Sequence, residues 1–253
     1  MSGAAFKDHF SAKSDAYAKY RPSYPAELFA WLATLAPERA RAWDCATGNG
    51  QAALGLAQHF AHVIATDASD RQLAHATPHE RIEYRVAAAE SSGLDAGSVD
   101  LVTVAQAAHW FDLDRFYAEA RRVLRPDGAI VVWAYSVCAI EPAVDRVVGR
   151  FYRDVVGPYW PPERGAVDDH YRSFPFPFPE VDRVPEFAME NEWSLDDFLG
   201  YLGTWSATQG FVRAKGFDPL PALRAELAEP WGESSTTRRV RWPLHIRAGH
   251  GPR

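Results

Sequence analysis

Short apolar runs alternate with amphipathic stretches through the first half of the chain. Runs that end at turn signals predict buried strands at residues 63–67, 82–86, 101–105 and 130–133. Apolar positions spaced for one helical face predict helices over residues 52–60 and 113–124, the second capped by Asp112. Strands that alternate with helices are typical of βαβ winding, so we expect an α/β fold with a mostly parallel sheet.

The C-terminal part follows a different pattern, in which apolar and polar positions alternate strictly. Residues 187–193 alternate as a half-exposed strand, and Ser194 with Asp197 forms a capping-box-like start for the next helix. Residues 240–246 alternate again and predict one last strand. Pro243 lies inside that strand and cannot donate to a ladder, so we expect a bulge or an unpaired residue there.

Between these regions, residues 141–185 mix aromatic side chains with prolines. The stretches at 159–162 (Tyr-Trp-Pro-Pro) and 174–179 (Phe-Pro-Phe-Pro-Phe-Pro) forbid long regular elements. Aromatic side chains are costly to expose on a surface segment. We therefore expect this stretch to cover a site as a lid.

Composition narrows the classes of function. At 253 residues the chain fits one α/β domain with an insertion, and its net charge of −6 opposes binding to nucleic acid phosphates. No apolar stretch approaches about twenty residues and the N-terminus lacks a signal-peptide pattern, so we expect a cytoplasmic protein with no membrane partner. Cys45 and Cys138 give neither a disulfide framework nor a metal-ligand spacing, and we expect reduced core thiols and no metal.

A glycine-rich turn follows the first apolar run, at residues 44–50. Gly48 and Gly50 lack a Cβ, so backbone N–H groups of this turn can approach a ligand closely. The spacing does not match the dinucleotide G-x-G-x-x-G fingerprint, and Asp44 precedes the glycines. The turn is a candidate cofactor loop.

A second acid, Asp67, ends the apolar run at 63–67, seventeen residues beyond Gly50. A carboxylate at the end of the second strand of a βαβ unit is placed to accept both ribose hydroxyls of an adenosine. The alternative is a structural role, since Asp67 and Ser69 precede a helix pattern and can cap it.

Several motifs in a fixed order carry a resemblance to a known family. They lie at residues 17–25, 44–50, 67–69, 88–90, 106–111 and 122–128. In these motifs the chain resembles the class I S-adenosylmethionine-dependent methyltransferases, in particular the small-molecule branch that contains trans-aconitate methyltransferase, with its methyltransferase type 11 domain. The resemblance covers residues 6–135 well and the remainder loosely.

The resemblance implies a Rossmann-like, seven-stranded, mostly parallel sheet with helices on both faces and an antiparallel last strand, supplied by residues 240–246. It also implies one methyltransferase domain over 1–253. Its parts are a helical N-terminal cover at 1–35, a cofactor-binding core at 36–137, a lid-like insertion at 138–185 and a C-terminal part at 186–253 that completes the sheet.

S-adenosylmethionine is the cofactor that the resemblance implies. Its binding residues are then Asp44, Ala46, Gly48, Gly50, Asp67, Ala68, Ala89, Glu90 and Gln106. Two positions depart from the family pattern. Ala46 stands where glycine is usual, which suggests room for a methyl group, and Ala88 stands where an acid often contacts adenine. We therefore expect the Ala89 backbone and the Glu90 side chain to hold the adenine.

For the methyl acceptor, the resemblance and the residues together suggest two catalytic side chains. His109 follows the fourth strand, where it would accept a proton from a phenol or amine, or donate a hydrogen bond to a carboxylate. Arg21 is the candidate carboxylate clamp. The alternatives are a histidine that caps a helix and an arginine that starts one. The candidate substrate-binding residues are Tyr17, Tyr20, Trp110, Tyr135 and Trp205.

The expected function is methyl transfer from S-adenosylmethionine to a small molecule, with O-methylation of a carboxylic acid preferred. Orientation alone can supply about 7–11 kcal/mol of such an in-line reaction, so a catalytic triad or metal is not required. A nicotinamide-dependent oxidoreductase is an alternative that the glycine spacing disfavours. A non-catalytic protein that binds S-adenosylmethionine is a further alternative.

Overall fold

The computed structural model describes Tyr20 and residues 22–251. Its strands are β1 Arg41–Cys45, β2 His62–Asp67, β3 Ile82–Val86, β4 Val99–Ala105, β5 Leu124–Ala134, β6 Ala188–Trp193, β7 Arg238–Pro243 and β8 His245–His250. Its α-helices are α1 Ala26–Leu35, α2 Gln51–Leu56, α3 Asp70–Leu73, α4 Leu113–Val123, α5 Pro142–Arg150, α6 Arg164–Asp168, α7 Leu195–Gly203, α8 Ser206–Lys215 and α9 Leu220–Trp231. Tyr17 and Arg21 lie outside the described residues, so their roles stay predictions.

The main sheet has the order β3-β2-β1-β4-β5-β8, and every pair is parallel except β5 with β8. The chain winds outward from β1 to β3 and then returns to β4 on the other side of β1. The connections after β1 and β4 therefore diverge, which opens a crevice at the carboxyl ends of these strands. This order confirms the expected Rossmann-like α/β class.

Alternate side chains of the central strands enter two separate cores. Ala42 of β1 packs on the face that includes Leu28 of α1, whereas Trp43 packs on the opposite face with Phe116 of α4. Buried apolar positions on both faces require helices on both faces, as the sequence predicts. Both predicted caps are confirmed: Asp112 accepts the N–H of Arg115, and Ser194 forms a capping box with Asp197.

The prediction of one strand over residues 240–246 is wrong. β7 ends at Pro243, and β8 begins two residues later. β7 pairs with β6 in a separate two-stranded sheet, while β8 joins the main sheet beside β5. Proline has no N–H to continue the ladder, and the next N–H, of Leu244, donates to the Phe187 carbonyl at 2.9 Å. The break gives the main sheet six strands among the described residues, where seven were expected.

The proline-aromatic segment packs onto both cores. Val148 and Phe151 join the core beside α1, and Tyr171 and Phe178 join the core beside α4. The Pro179 carbonyl accepts the N–H of His250 at 3.0 Å, so the segment runs along β8 at the edge of the sheet. Closure of this segment on a ligand, and the division of the chain at residues 35, 137 and 185, stay predictions.

Cys45 and Cys138 are free and buried, as the sequence predicts. Burial raises the pKa of both thiols, which keeps them protonated. Within Tyr20 and residues 22–251, no helix combines the length and apolar character needed to cross a membrane.

Candidate active site

The loop between β1 and α2 lies at the crevice and has an unusual backbone. Ala46, Gly48 and Gly50 all adopt positive φ, at 55°, 60° and 85°. A Cβ at Gly48 would meet nothing within 4 Å, whereas a Cβ at Gly50 would lie 2.4 Å from the Tyr84 hydroxyl oxygen. The positive φ of Gly50 and its contact with Tyr84 both disfavour a side chain at this position, whereas none of the described residues occupies the place where a Cβ of Gly48 would lie.

Asp67 ties this loop to the end of β2. One carboxylate oxygen accepts the Gly48 N–H at 2.9 Å, and the other accepts the Ser69 N–H at 2.8 Å. The cap of α3 comes from Ser69, whose hydroxyl accepts the Gln72 N–H. Asp67 is 8% exposed. The capping role that competed with a cofactor role is thus made by Ser69, and Asp67 fixes the glycine loop.

Ala46 is held in a conformation that L-residues avoid. The sequence suggests room for a methyl group here, and the structure adds that the position needs φ of 55°. A left-handed conformation costs an L-residue about 1–2 kcal/mol. The glycine that is usual in the family would adopt it freely.

Replacing Ala46 with glycine is expected to raise the free energy of unfolding by about 0.5–1 kcal/mol. The relieved strain of about 1–2 kcal/mol is offset in part by the greater chain entropy of glycine, about 0.5–1 kcal/mol. Urea denaturation checks this through a higher midpoint at unchanged slope. The control is Ala30→Gly, at an exposed position in α1. This substitution should lower the free energy of unfolding by about 1 kcal/mol. Equal losses in both variants would contradict strain at Ala46.

Asp44 is fully buried beneath the loop. The hydroxyl groups of Thr47 and Thr103 donate to its two oxygens, at 2.5 and 2.8 Å. Burial, with a smaller contribution from the nearby charge of Asp67, raises the pKa of Asp44 to about 6 against the opposing hydrogen bonds from Thr47 and Thr103. Asp44 therefore carries a negative charge at neutral pH and loses it in mild acid.

Gln106, at the end of β4, has φ of 56° and a side chain that hydrogen-bonds to the backbone of Tyr135. Its amide nitrogen donates to the Tyr135 carbonyl at 2.9 Å, and its amide oxygen accepts the Tyr135 N–H at 2.8 Å. This pair clamps the ends of β4 and β5 together. The clamp uses one N–H and one lone pair of the Gln106 amide, and the contact with a cofactor that was predicted for this residue stays a prediction.

The predicted adenine side is a tight turn after β3. Ala88 and Ser91 form an isolated bridge, Ala88 is exposed and Ala89 is buried. One oxygen of Glu90 accepts the Asp112 N–H at 3.0 Å, at the start of α4. Glu90 thus has one carboxylate oxygen committed to the fold. Ala68 is exposed beside Asp67, as its predicted role requires.

His109 lies in a single 3-10 turn at Ala108–Trp110, on the other side of the crevice. Its Nδ1 is 2.7 Å from the Tyr171 hydroxyl oxygen, and its ring packs on Trp110 at 4.7 Å between centroids. Trp110 is 37% exposed. Burial, with a smaller effect from the charge of Arg164, lowers the pKa of His109 from 6.5 to about 4. The imidazole is therefore neutral at physiological pH.

The tautomer of His109 decides whether the ring donates or accepts at Nε2. The hydrogen bond between Nδ1 and the Tyr171 hydroxyl can run in either direction, depending on which ring nitrogen carries the proton. Burial raises the pKa of Tyr171, so its phenol keeps its proton and can donate it to Nδ1. We assign the remaining ring proton to Nε2, which makes His109 a hydrogen-bond donor there.

Sequence reasoning missed Arg164 and Tyr171, which the structure brings to this side. α6 packs against the turn that carries His109, and the positive charge of Arg164 acts on the imidazole. Trp205, a predicted acceptor residue, lies among aromatic rings here, 5.6 Å from the rings of both Tyr152 and Trp160. An arginine two positions after the Tyr-Trp-Pro-Pro stretch was the available signal.

Tyr20 packs on helix α7. A Cβ at Gly200 would lie 2.6 Å from the Tyr20 ring, so this glycine makes the contact possible. The predicted site residues thus divide into two groups. One group lies together at the ends of β1 and β2: Asp44, Ala46, Gly48, Gly50, Asp67 and Ala68. The other described site residues lie after β3, β4 and β5 or toward the C-terminal helices.

Comparisons with known proteins identify the family of the chain. The family model described as a methyltransferase domain matches residues 43–132. A Dictyostelium discoideum protein named as a methyltransferase is 36% identical over 230 residues, which cover 89% of this chain and 87% of the relative. The match spans almost the whole of both chains.

Solved structures give the same result. A type II methyltransferase from Anaeromyxobacter dehalogenans is similar with a TM-score of 0.87 and 47% identity, covering 92% of this chain and 100% of that chain. A methyltransferase from an antibiotic biosynthesis pathway of Anabaena variabilis has a TM-score of 0.53 at 18% identity, covering 88% and 98% of the two chains. The second comparison shows a shared fold alone.

Proposed function

Because the chain belongs to the class I S-adenosylmethionine-dependent methyltransferases, we propose that it methylates an oxygen atom of a small-molecule carboxylic acid. The observation that carries this proposal is the state of His109. With the Tyr171 hydroxyl donating to Nδ1, the neutral imidazole would offer an N–H at Nε2 and no free lone pair. Such a group orients an acceptor that is already ionised, as a carboxylate is at neutral pH.

The cofactor would lie over the carboxyl ends of β1 and β2. Asp67 would accept the ribose hydroxyls at the end of β2. Gly48, with open space where a Cβ would stand, allows the close approach of the cofactor. The turn at 88–90 would hold adenine through the Ala89 backbone and the free oxygen of Glu90.

The reaction itself needs alignment more than acid–base chemistry. A carboxylate oxygen supplies the electron pair for the new O–C bond, and the C–S bond breaks with its electron pair passing to sulfur. The products are a methyl ester and a neutral thioether, and no proton moves. His109 would hold the acceptor by its Nε2–H, and Tyr171 would maintain that tautomer.

Methyl transfer to a panel of small acids tests the proposal. With S-adenosylmethionine labelled in its methyl group, we expect label in an organic product that releases volatile methanol after alkaline hydrolysis, as an ester does. Alkali-stable label would indicate N- or C-methylation and would contradict the proposed acceptor. Binding of cofactor without any transfer would favour the non-catalytic alternative, and reduction of NAD would favour the oxidoreductase. A cytoplasmic location and the exclusion of nucleic acid stay predictions.

The affinity for S-adenosylmethionine is expected to fall about tenfold between pH 7 and pH 5. Asp44 has a pKa of about 6, and its negative charge attracts the sulfonium and ammonium groups of the cofactor. Titration calorimetry at several pH values measures this, and Asp44→Asn should bind weakly with no such pH dependence. A wild-type affinity that is constant over this range would contradict the role of Asp44.

Unfolding of the protein in mild acid does not explain the expected loss of affinity for S-adenosylmethionine. The folded-state pKa of Asp44 is raised above its ordinary 3.8, so the folded state takes up the proton first as the pH falls from about 6 to about 4. This titration therefore adds to the free energy of unfolding while it weakens cofactor binding.

A further inference from the structure

Arg164 is a largely buried cation whose hydrogen-bonding capacity is mostly unused. Its side chain is 18% exposed. Its Nε donates to the Tyr152 hydroxyl at 2.9 Å and to Asp168 at 3.2 Å. No hydrogen bond within Tyr20 and residues 22–251 reaches either of its terminal nitrogens. Four of the five guanidinium N–H groups are thus left to bind a ligand.

The neighbours of Arg164 orient its guanidinium group without hydrogen bonds to its two terminal nitrogens. Tyr152 donates its hydroxyl proton to Asp168, and Ser136 donates to the same carboxylate at 2.8 Å. The Trp160 ring lies under the guanidinium, 4.6 Å from its central carbon. A purely structural ion pair would use the two-pronged end of the guanidinium, where the parallel hydrogen bonds to a carboxylate are strongest. Here Asp168 occupies Nε and leaves that end open.

A second donor beside Arg164 also lacks a partner. The indole N–H of Trp160 is buried, and no hydrogen-bond acceptor reaches it from the described part of the chain. Buried tryptophan N–H groups usually find a partner. Two unpaired donors on stacked groups indicate that an acceptor-rich ligand binds here.

The surroundings define the rest of the ligand. Tyr152, Trp160 and Trp205 are in mutual ring contact, so flat apolar surface adjoins the guanidinium. The charge of Arg164 acts on His109, which places the arginine on the acceptor side of the crevice. One cation with aromatic walls suits a single carboxylate on a flat apolar body better than a tricarboxylate.

We propose that Arg164 binds the carboxylate of the methyl acceptor, and that the acceptor is a monocarboxylic acid with a planar apolar body. This assignment rests on the proposed function and names a residue and a substrate class for it. Arg164 would supply bidentate carboxylate recognition of the kind that the sequence predicts for Arg21, whose own role stays a prediction. Methylation removes the negative charge, so the ester product loses its attraction for Arg164 and leaves the site.

The test uses trans-cinnamic acid as the probe acid and the full chain with S-adenosylmethionine. In Arg164→Met the KM for cinnamate is expected to rise about 10- to 100-fold, the loss of one charge-assisted interaction, while affinity for S-adenosylhomocysteine changes less than about twofold. Arg164→Lys keeps the charge without the two-pronged geometry, and its KM for cinnamate should also rise about tenfold or more. The control is Arg146→Met, an exposed arginine in α5, which should match the wild type.

Uncharged cinnamamide separates recognition from folding. Its binding to Arg164→Met, measured by calorimetry, should equal its binding to the wild type if the pocket remains folded. An unchanged KM for cinnamate in Arg164→Met, in an enzyme that methylates acids, would overturn the role of Arg164 and leave the proposed function standing. Preference for a tricarboxylate such as trans-aconitate would overturn the substrate class. Failure of the wild type to methylate any acid would overturn the proposed function itself.

Discussion

Replacing Asp67 with alanine is expected to raise the Kd for S-adenosylhomocysteine by about 10- to 100-fold. The variant loses a charge-assisted hydrogen bond to the ribose, about 1.5–3 kcal/mol. It also loses the carboxylate that holds the N–H groups of Gly48 and Ser69, so the loop must be ordered again at each binding event. Titration calorimetry measures the change, and the upper end of the range is expected because both effects act together.

Asp70→Ala is the matched control for this experiment. Asp70 is exposed in the first turn of α3, three positions from Asp67, and has the same charge. Its removal should leave the Kd within about twofold, since it lies outside the loop contacts. An Asp67→Ala variant that binds as tightly as Asp70→Ala would remove Asp67 from the cofactor site.

Replacing His109 with alanine is expected to lower kcat/KM about a hundredfold, whereas His109→Gln should lose less than about tenfold. Glutamine keeps a side-chain N–H that can serve in place of Nε2–H, and alanine offers none. Cofactor affinity should stay unchanged in both, because the residue is assigned to the acceptor. Steady-state kinetics with the acid and calorimetry with S-adenosylhomocysteine separate the two effects.

The pH profile distinguishes a donor from a general base. The lowered pKa of His109, about 4, predicts no inflection in kcat/KM from this residue between pH 5 and 8. Its folded-state pKa lies below its ordinary 6.5, so its contribution to the free energy of unfolding is lost as the pH falls from about 6.5 to about 4. Equal losses in the alanine and glutamine variants, together with an inflection near neutral pH, would mean that His109 accepts a proton.

Much of the fold could be predicted because its signals are local. The strand at Ile82–Val86 and the caps at Asp112 and Ser194 each depend on a few neighbouring residues, and the structure places them as expected. The prediction of one strand over residues 240–246 failed for a physical reason. Alternation identifies a strand and does not identify its partner, and the switch between two sheets at Pro243 depends on pairing with β6 and β5.

The same difference between local signals and tertiary packing explains which site residues could be predicted. Asp44, Gly48 and Asp67 lie at the ends of strands, where order in the chain fixes position in space, and the structure brings them together. Arg164 and Tyr171 come from a segment without periodicity, and only tertiary packing places them beside His109. The hydrogen bonds of the Gln106 side chain could not be predicted either, because their partner, the Tyr135 backbone, lies 29 residues away along the chain.

A crystal structure of the protein with S-adenosylhomocysteine and cinnamate tests the central claim most directly. The account predicts ribose hydroxyls on Asp67, the thioether sulfur between the glycine loop and His109, and the cinnamate carboxylate on the terminal nitrogens of Arg164 with one oxygen directed at the sulfur. A nucleoside bound away from the ends of β1 and β2, or a carboxylate that contacts neither Arg164 nor His109, would contradict it.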